Sequence, residues 1–441
     1  MNWLEKFFKL SENRTTVRRE LTGGLTTFMT LSYIIFVNPA ILSRAGLPFS
    51  DTVTATAWVS GLATLLMGVY SNYPFAMACG MGLNAVVAYN IVGGMNLPWQ
   101  TAMGVIVLEG LVVTALVLTN LREQVMHAIP LPLKRAIGIG IGLFIAFIGM
   151  KDAGIVSAHP VTFLTAGNFR EPAVWLACAG LVLCAWLMIL KVQGALLWGM
   201  LMTAGAGLLC SILKLPEQII SVPAFPSTLF QCDVAGALKW QLVPVIFALF
   251  MVDFFDTMGT VIAVGAEGGF LDNEGRLPRL KKVLLADSAG AVMGGLFSAS
   301  SVTTYIESAA GVAQGARTGL SSVVVALLFF LAPVFAPLIT VVGGGVRVGE
   351  VFLNPVTAPA LIMVGFLMMG AVREIEWGNL DESLPVFLII VGMPLTFSIS
   401  HGIGFGFISY VLLKTLQGKY REVPLLLYAV SLLFLISFVV S

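Results

Sequence analysis

A chain of 441 residues that is 58% hydrophobic and only 11% charged, with a mean hydropathy of +0.95, reads as a polytopic membrane protein and not as a string of soluble domains. A formal charge of +1 without a basic patch excludes a nucleic-acid binder, and five scattered cysteines exclude a disulfide-stapled secreted module. An outer-membrane barrel is excluded too, because barrel strands alternate in period two and these apolar segments are continuous.

The first residues set Trp3, Leu4, Phe7, Phe8 and Leu10 at helical spacing among Glu5, Lys6 and Lys9. Residues 1–21 are therefore expected to carry an amphipathic helix lying on the membrane surface, not a cleaved signal. No Asp, Glu, Lys, Arg or His occurs over 21–43, 52–108 or 424–441. Runs of that kind cross a bilayer at about 20 residues per helix. Spans are expected near 22–43, 52–71, 76–92, 99–119, 132–149, 173–190 and 195–213 in the first half. In the second half they fall near 241–264, 283–299, 301–314, 319–340, 351–371, 384–413 and 424–440. The span over 384–413 is expected to break around Ser400, His401 and Gly402, where His401, Gly402, Gly404 and Gly406 read as a flexible hinge. Cys79, Cys178, Cys184, Cys210 and Cys232 read as small core residues. Gly343-Gly-Gly345 reads as a loop, since neither the strand nor the Lys-Ser/Thr of a phosphate cradle accompanies it.

Lys and Arg, counted on alternating sides, put 15 on the side of the N-terminus, including Lys6, Lys9, Arg122, Lys134, Arg135 and the cluster from Arg276 to Lys282. The other side receives six: Arg44, Lys151, Arg170, Lys214, Lys239 and Arg347. The N-terminus is thus expected in the cytoplasm. Lys414, Lys419 and Arg421 fit that scheme only if 384–413 is two half-spans rather than one. Seven spans per half give the halves opposite orientation, the inverted-repeat plan of many secondary transporters. The third and tenth spans hold corresponding places, are short and are interrupted, reading Met77-Ala-Cys-Gly-Met-Gly-Leu-Asn84 and Phe297-Ser-Ala-Ser-Ser-Val-Thr-Thr-Tyr-Ile-Glu307. Paired broken helices mark a midplane binding site, because unwound backbone leaves N–H and C=O groups in need of partners.

Intramembrane carboxylates are the sharpest feature. Asp253 and Asp256 stand three residues apart in the eighth span, as on one helix face, with Thr257 and Thr260 extending the stripe. Glu307 lies in the tenth span, Asp287 in the ninth and Glu109 in the fourth. Each acid at a helix centre costs about 2.5–3.5 kcal/mol. No Lys, Arg or His lies between Lys239 and Arg276 to neutralise the eighth-span pair. Such acids either carry protons or face water and ligand. Asp256 has the alternative of holding the broken helices by their N–H groups. Asn84 offers two donors and an acceptor, which suits the edge of a heterocycle or the unwound backbone beside it. Gly80 and Gly82 are expected to permit special backbone and close approach there. Tyr33, Phe36, Tyr89, Phe254, Phe255 and Tyr305 are candidates to stack on a flat ligand.

These motifs are similar to those of a known family. Gly23-Gly-Leu-Thr-Thr-Phe-Met-Thr-Leu-Ser-Tyr-Ile-Ile-Phe-Val-Asn-Pro39, Gly80-Met-Gly-Leu-Asn84, Asp253-Phe-Phe-Asp-Thr-Met-Gly-Thr260 and Ser300-Ser-Val-Thr-Thr-Tyr-Ile-Glu-Ser308 with Gly315-Ala-Arg-Thr-Gly319 resemble the AzgA-like purine permeases of the nucleobase-ascorbate transporter superfamily. The resemblance runs from Leu4 to the C-terminus; Val346-Arg-Val-Gly-Glu350 departs from it. It implies an all-α polytopic membrane protein of about fourteen transmembrane segments in two inverted seven-segment repeats, the UraA-like plan, with discontinuous third and tenth spans. Residues 22–120 and 241–340 would form a core domain and 121–240 and 341–441 a gate domain.

The resemblance also implies proton-coupled import of purine nucleobases. Asn84, Asp253 and Glu307 match the family's substrate-site positions, and Asp256 its second eighth-span acid. Glu307, Asp253 and Asp256 are then the proton-coupling candidates, and Gly80, Gly82, Thr257, Thr304, Phe254 and Tyr33 the supporting or stacking ones. The Gly-Met-Gly-Leu-Asn form leans to hypoxanthine and guanine, with adenine as the further candidate. No metal, cofactor or nucleic acid is expected. The partners expected are the purine, protons, the bilayer of a cytoplasmic (inner) membrane and a second copy in a homodimer. The nearest rival is a sulfate or bicarbonate carrier of the same fold, which the acidic site disfavours, since anions seek helix N-termini and cations. An intramembrane aspartyl protease needs its two aspartates on separate helices, and a passive channel has no use for such costly acids.

Overall fold

A computed structural model describes residues 2–119, 129–216, 218–272, 276–349 and 351–440. Arg122 and Glu350 lie outside the described residues. The chain is mostly helical, because in lipid each segment must satisfy its own N–H and C=O groups. Helix α1 (Asn2–Phe8) precedes α2 (Val17–Leu31) and α3 (Ile34–Leu42), which together make the first span. The amphipathic N-terminus is helical, but it docks on protein: Phe8 and Leu10 are buried with Leu320, while Trp3 and Phe7 stay exposed. Helix α4 (Phe49–Ser71) stops at Asn72, whose φ of 53° is left-handed. The Asn72 side chain donates to Phe8 O at 3.0 Å and accepts from Gly319 N at 2.9 Å, so one residue ends α4 and ties down two other segments.

The third span is broken. Strand β1 (Met77–Cys79) leads into α5 (Met81–Ala85), which continues as a π-helix over Val86–Gly94. Helices α6 (Trp99–Leu118) and α7 (Leu131–Asp152) follow, then the hairpin β2 (Val156–His159) and β3 (Phe163–Ala166), then α8 (Pro172–Ile189) and α9 (Ala195–Leu209). After the short α10 (Val234–Ala237) come α11 (Val243–Glu267) and α12 (Leu280–Leu296). The tenth span repeats the plan of the third, with β4 (Val302–Thr304) before α13 (Ser308–Ala313). Beyond it lie α14 (Gly319–Leu331), α15 (Ala336–Gly343), the hairpin β5 (Val346–Val348) and β6 (Val351–Leu353), α16 (Ala358–Met368), α17 (Leu380–Thr396), α18 (Ile399–Leu416) and α19 (Leu425–Val440). Among the described residues, eight helices are long and apolar enough to cross a membrane by length and composition.

The packing falls into two groups. Helices α2, α4 and α6 pack on α12 and α14, while α8 packs on α9, α7, α8 and α9 all pack on α16, and α7 packs also on α17 and α18. Strands β1 and β4 pair antiparallel in the register Met77 with Thr304, Ala78 with Thr303 and Cys79 with Val302, and all six residues are buried. Antiparallel pairing is what two oppositely oriented copies of one motif give when they meet at their breaks.

Two sequence expectations change. The 384–413 segment is a hairpin, not a single span: α17 ends at Thr396, Phe397 turns with φ 54°, and Ser398 caps α18 by accepting from His401 N at 3.2 Å. The break precedes the glycines, and these are packing positions rather than a flexible hinge. A Cβ at Gly402 would lie 2.4 Å from Met393 Cγ, and one at Gly406 2.1 Å from Ile389 Cγ1, both on α17. The hairpin returns Lys414 to Asp381, 2.8 Å away. Seven residues before Asp381 in the chain, Glu374 pairs with Arg135 at 2.7 Å in the first turns of α7. Arg44 and Lys151 sit at the other end of α7, about 25 Å away by helix rise. Among the cysteines, Cys79 and Cys184 are buried and Cys178 and Cys232 half-buried, but Cys210 is exposed and so is not a core residue.

Candidate functional site

The two broken spans leave backbone groups that helices would have paired internally, and neighbouring side chains take them up. Thr64 Oγ1 accepts from Met77 N and donates to Met77 O, both at 2.9 Å. Ser308 Oγ accepts from Ala76 N at 2.9 Å, and Ser322 Oγ lies 2.9 Å from the carbonyls of Tyr73 and Phe75. Asn38 Nδ2 donates to Ala299 O at 3.1 Å. The Tyr305 hydroxyl donates to Cys79 O at 2.5 Å, fastening the tenth span to the third. None of these small polar residues carried a role in the sequence reading, since Ser and Thr in membrane helices commonly bond their own backbone.

Asp287 is used in the same way. Its Oδ1 accepts from the Thr304 N–H at 2.9 Å and the Thr304 hydroxyl at 2.7 Å, and its Oδ2 from the Thr257 hydroxyl at 2.8 Å. Thr303 and Thr257 hydroxyls are 2.7 Å apart. Because Thr257 spends its proton on Asp287, Thr303 donates to Thr257. Thr257 and Thr304 therefore hold the frame of the site through Asp287. Glu20 has a parallel role that the sequence did not disclose. Fully buried, it accepts from Arg317 N at 2.8 Å, Thr318 N at 3.3 Å and Ser321 N at 3.2 Å, and so caps α14.

The other acids are not satisfied this way. Asp253 is fully buried and neither carboxylate oxygen has a hydrogen-bond donor. Asn84, also fully buried, has no partner for Nδ2 or Oδ1. Both residues belong to segments that meet, since α5 packs on α11. Groups of this kind cost stability unless a ligand, water or proton completes them. Asp256 differs from Asp253. Three residues along a helix is a rotation of about 60° from the starting face. Asp253 points into the packed interior while Asp256 is exposed, at the head of an open strip with Gly259, Ala263 and Ala266. The pair thus straddles a boundary instead of sharing one environment. Glu307 is half-buried, and its Oε1 accepts from the Tyr33 hydroxyl at 2.7 Å.

The rings sort themselves likewise. Tyr33 is fully buried and serves Glu307 through its hydroxyl. Phe254 is enclosed between Phe250 and Phe255, at centroid distances of 5.7 and 5.5 Å, which makes it a packing ring. Gly80 has φ −71°, an ordinary extended backbone, and donates to Ser301 O at 2.9 Å. Gly82 provides the close approach: a Cβ there would lie 2.7 Å from Ile141 Cγ2 on α7.

One end of this region is held by polar contacts. Arg44 donates to Phe352 O at 2.9 Å and pairs with Asp152 at 3.5 Å, and Lys151 lies over the rings of Tyr89 and Phe397 at 5.3 and 5.2 Å. A cavity of about 490 Å³ lies between the π-helix, the start of α11 and the α17–α18 turn, lined by Tyr89, Asn90, Trp240, Ser398 and His401. No carboxylate lines it, so it is distinct from the acidic site.

Comparison with known proteins decides the family. The Xan_ur_permease model, described as a permease family, matches residues 18–405. The chain belongs to this permease family. The permease is 42% identical over 436 residues to the guanine/hypoxanthine permease PbuO of Bacillus subtilis, spanning 98% of this chain and 99% of that one. It is 38% identical over 436 residues to the adenine permease AdeP of Escherichia coli, spanning 99% and 96%. The likeness read from the motifs is thereby shown, and a permease is a transporter, not an enzyme. Among solved structures, the transmembrane domain of the cyanobacterial bicarbonate transporter BicA superposes with a TM-score of 0.64 at 17% identity, covering 87% of this permease and 97% of that domain. At that identity the likeness shows the fold.

Proposed function

We propose that this permease is a proton-coupled importer of purine nucleobases, hypoxanthine and guanine before adenine. The observation that carries the reading is the fully buried, donor-free Asp253 on α11 and the equally unpartnered Asn84 on α5, the broken-span helix that packs on α11. A neutral purine offers what both lack: ring N–H and amine donors for a carboxylate, and an edge of mixed donors and acceptors for an amide. Glu307 and Asp253 take the donors, Asn84 reads another edge, and Asp256 and Glu307 face the open strip along α11 by which the ligand and proton leave. The names of the relatives, guanine/hypoxanthine and adenine permeases, support the substrate class. Acids without cations favour a neutral or cationic ligand over bicarbonate or sulfate.

The same reading makes the segments over 22–120 and 241–340 a core that moves against a gate of 121–240 and 341–441, supported by the two packing groups. The exposed strip from Asp256 to Ala266 is the route this reading assigns to ligand and proton, toward the end bearing Arg135 and Lys414. By the Lys and Arg count that end is cytoplasmic, the N-terminus with it, in an inner membrane. The gradient drives transport without a cofactor, at about 2.3 kcal/mol per charge per 100 mV, and the working unit is a homodimer.

The test is uptake of radiolabelled hypoxanthine, guanine, adenine, xanthine and uracil into proteoliposomes with and without an inward proton gradient. Accumulation of a purine that requires the gradient is expected. Purine uptake indifferent to the gradient overturns the coupling, and no purine uptake overturns the substrate class.

A further inference from the structure

The Glu109 carboxyl on α6 has no place in the purine site, yet it is fully buried and its Oε1 has no donor. Its Oε2 receives the Ser301 hydroxyl at 3.3 Å, a long bond. The carboxyl it interacts with is that of Asp253, likewise buried without a donor, on α11, the helix on which α6 packs. The titratable groups around this pair are Asp287 from α12 and Asp256 from α11's own next turn, all acids. Asp233 is placed at the far end of α6, where it accepts from Thr101 at 3.4 Å. Among the described residues no ion pair reaches Glu109 or Asp253. Two carboxylates have only acceptors to offer each other; the approach becomes a hydrogen bond when one carries a proton. A shared proton also removes one of two like charges from a sealed site.

We infer that Glu109 and Asp253 form a two-carboxyl proton store, with Glu109 a positioning residue that holds the coupling proton against Asp253 and stands behind the purine. The inference rests on the proton-coupled reading above and deepens it. When one oxygen of the Asp253 carboxylate accepts a purine N–H, the other keeps its place in the shared proton bond. The proton then stays on Glu109 as a neutral acid, bonded to Asp253 from behind. No charge is created or lost, and the core crosses with one proton and one purine. Release of the purine frees the first oxygen of Asp253, and the proton leaves through Asp256 on the open strip.

The experiment is proteoliposome transport of radiolabelled hypoxanthine, or whichever purine the wild-type chain takes, by wild type and Glu109→Gln. Two readings are taken: counterflow exchange at equal pH on both sides, and accumulation driven by an inward proton gradient. Wild type accumulates about tenfold per pH unit for one proton per purine. Glu109→Gln is expected to keep counterflow within about threefold, a cost under about 1 kcal/mol. It is also expected to lose accumulation entirely and to show counterflow independent of pH. Accumulation by Glu109→Gln equal to wild type overturns the inference, and loss of counterflow together with accumulation overturns it by making Glu109 structural. If Glu109→Gln is not recovered folded, Glu109→Asp decides: it keeps a titratable group at a changed distance, so a shifted pH profile of accumulation supports the store and an unshifted one overturns it. Wild type that exchanges purine without responding to the gradient removes the coupling reading itself, and wild type that does neither removes the substrate reading.

Discussion

Two groups of charge in this permease are built in opposite ways. Near the α17–α18 end, the Lys414 ammonium lies 2.8 Å from Asp381, 3.6 Å from Glu382 and 3.8 Å from Glu422, with Lys419 3.5 Å from Asp381. Cations and acids answer one another, and the result is a locked hairpin. Around the broken spans, Glu109, Asp253, Asp256, Asp287 and Glu307 form no ion pair among the described residues. Asp287 is satisfied by three donors, but Asp253 has none. Compensated charge holds structure in place. Uncompensated charge, on the proposed function, is left for what enters and leaves, a proton and a ligand.

That contrast breaks most visibly if transport and stability fail to separate. Asp253→Asn should reduce purine accumulation by about 100-fold or more, equivalent to about 2.7 kcal/mol. The thermal melt in detergent should stay within about 1 kcal/mol of wild type, since an amide is cheaper to bury than a carboxylate. A protein that melts early and transports normally would make Asp253 a structural residue. Glu20 sharpens the comparison because its partners are N–H groups rather than cations. Glu20→Ala strands the donors of Arg317, Thr318 and Ser321 and should destabilise by about 2–3 kcal/mol, with Glu20→Gln recovering part of the loss in the same melt.

Lys414→Met leaves Asp381 with only the longer contact to Lys419, 3.5 Å away, at the membrane edge. It should cost about 1–3 kcal/mol, between a screened surface pair and a fully buried one, with counterflow per folded molecule unchanged. The hydrogen bond from Lys414 holds the Asp381 carboxyl below its usual range. A depressed folded value means the stabilisation is complete above the unfolded value and is lost as pH falls through the folded one. Wild type should therefore lose melting temperature on acidification through that window, and Lys414→Met should lose less, since only Lys419 then faces Asp381. The smallest effect is expected at Gly82→Ala, whose methyl presses on Ile141 across to α7. Uptake should fall about two- to fivefold, and Ile141→Ala should restore it, as overpacking predicts.

Much of this could be read from the chain. Charge-free runs announce membrane helices because the bilayer core charges a stated cost for each ion and each unpaired backbone group. The interrupted third and tenth segments were legible for the same reason, since Gly-rich, hydroxyl-rich stretches cannot be ordinary spans. The acids were visible as expensive residues without local cations. What misled was local pattern taken as local purpose. Gly402 and Gly406 look like a hinge in sequence and are contact points against Met393 and Ile389. Asp253 and Asp256 look like one stripe and face different surroundings.

The sequence by itself determined the membrane class, the two broken segments, the set of costly acids and, through four motifs in order, the permease family. Only the tertiary structure decided which acid serves what. Asp287 is satisfied by threonines 30 and 17 residues away in sequence, and Glu20 caps a helix 297 residues on. Glu109 meets Asp253 because α6 packs against α11. A carboxyl's role depends on the donors, charges and water within a few ångströms of it. Those neighbours come from distant parts of the chain, and folding brings them together.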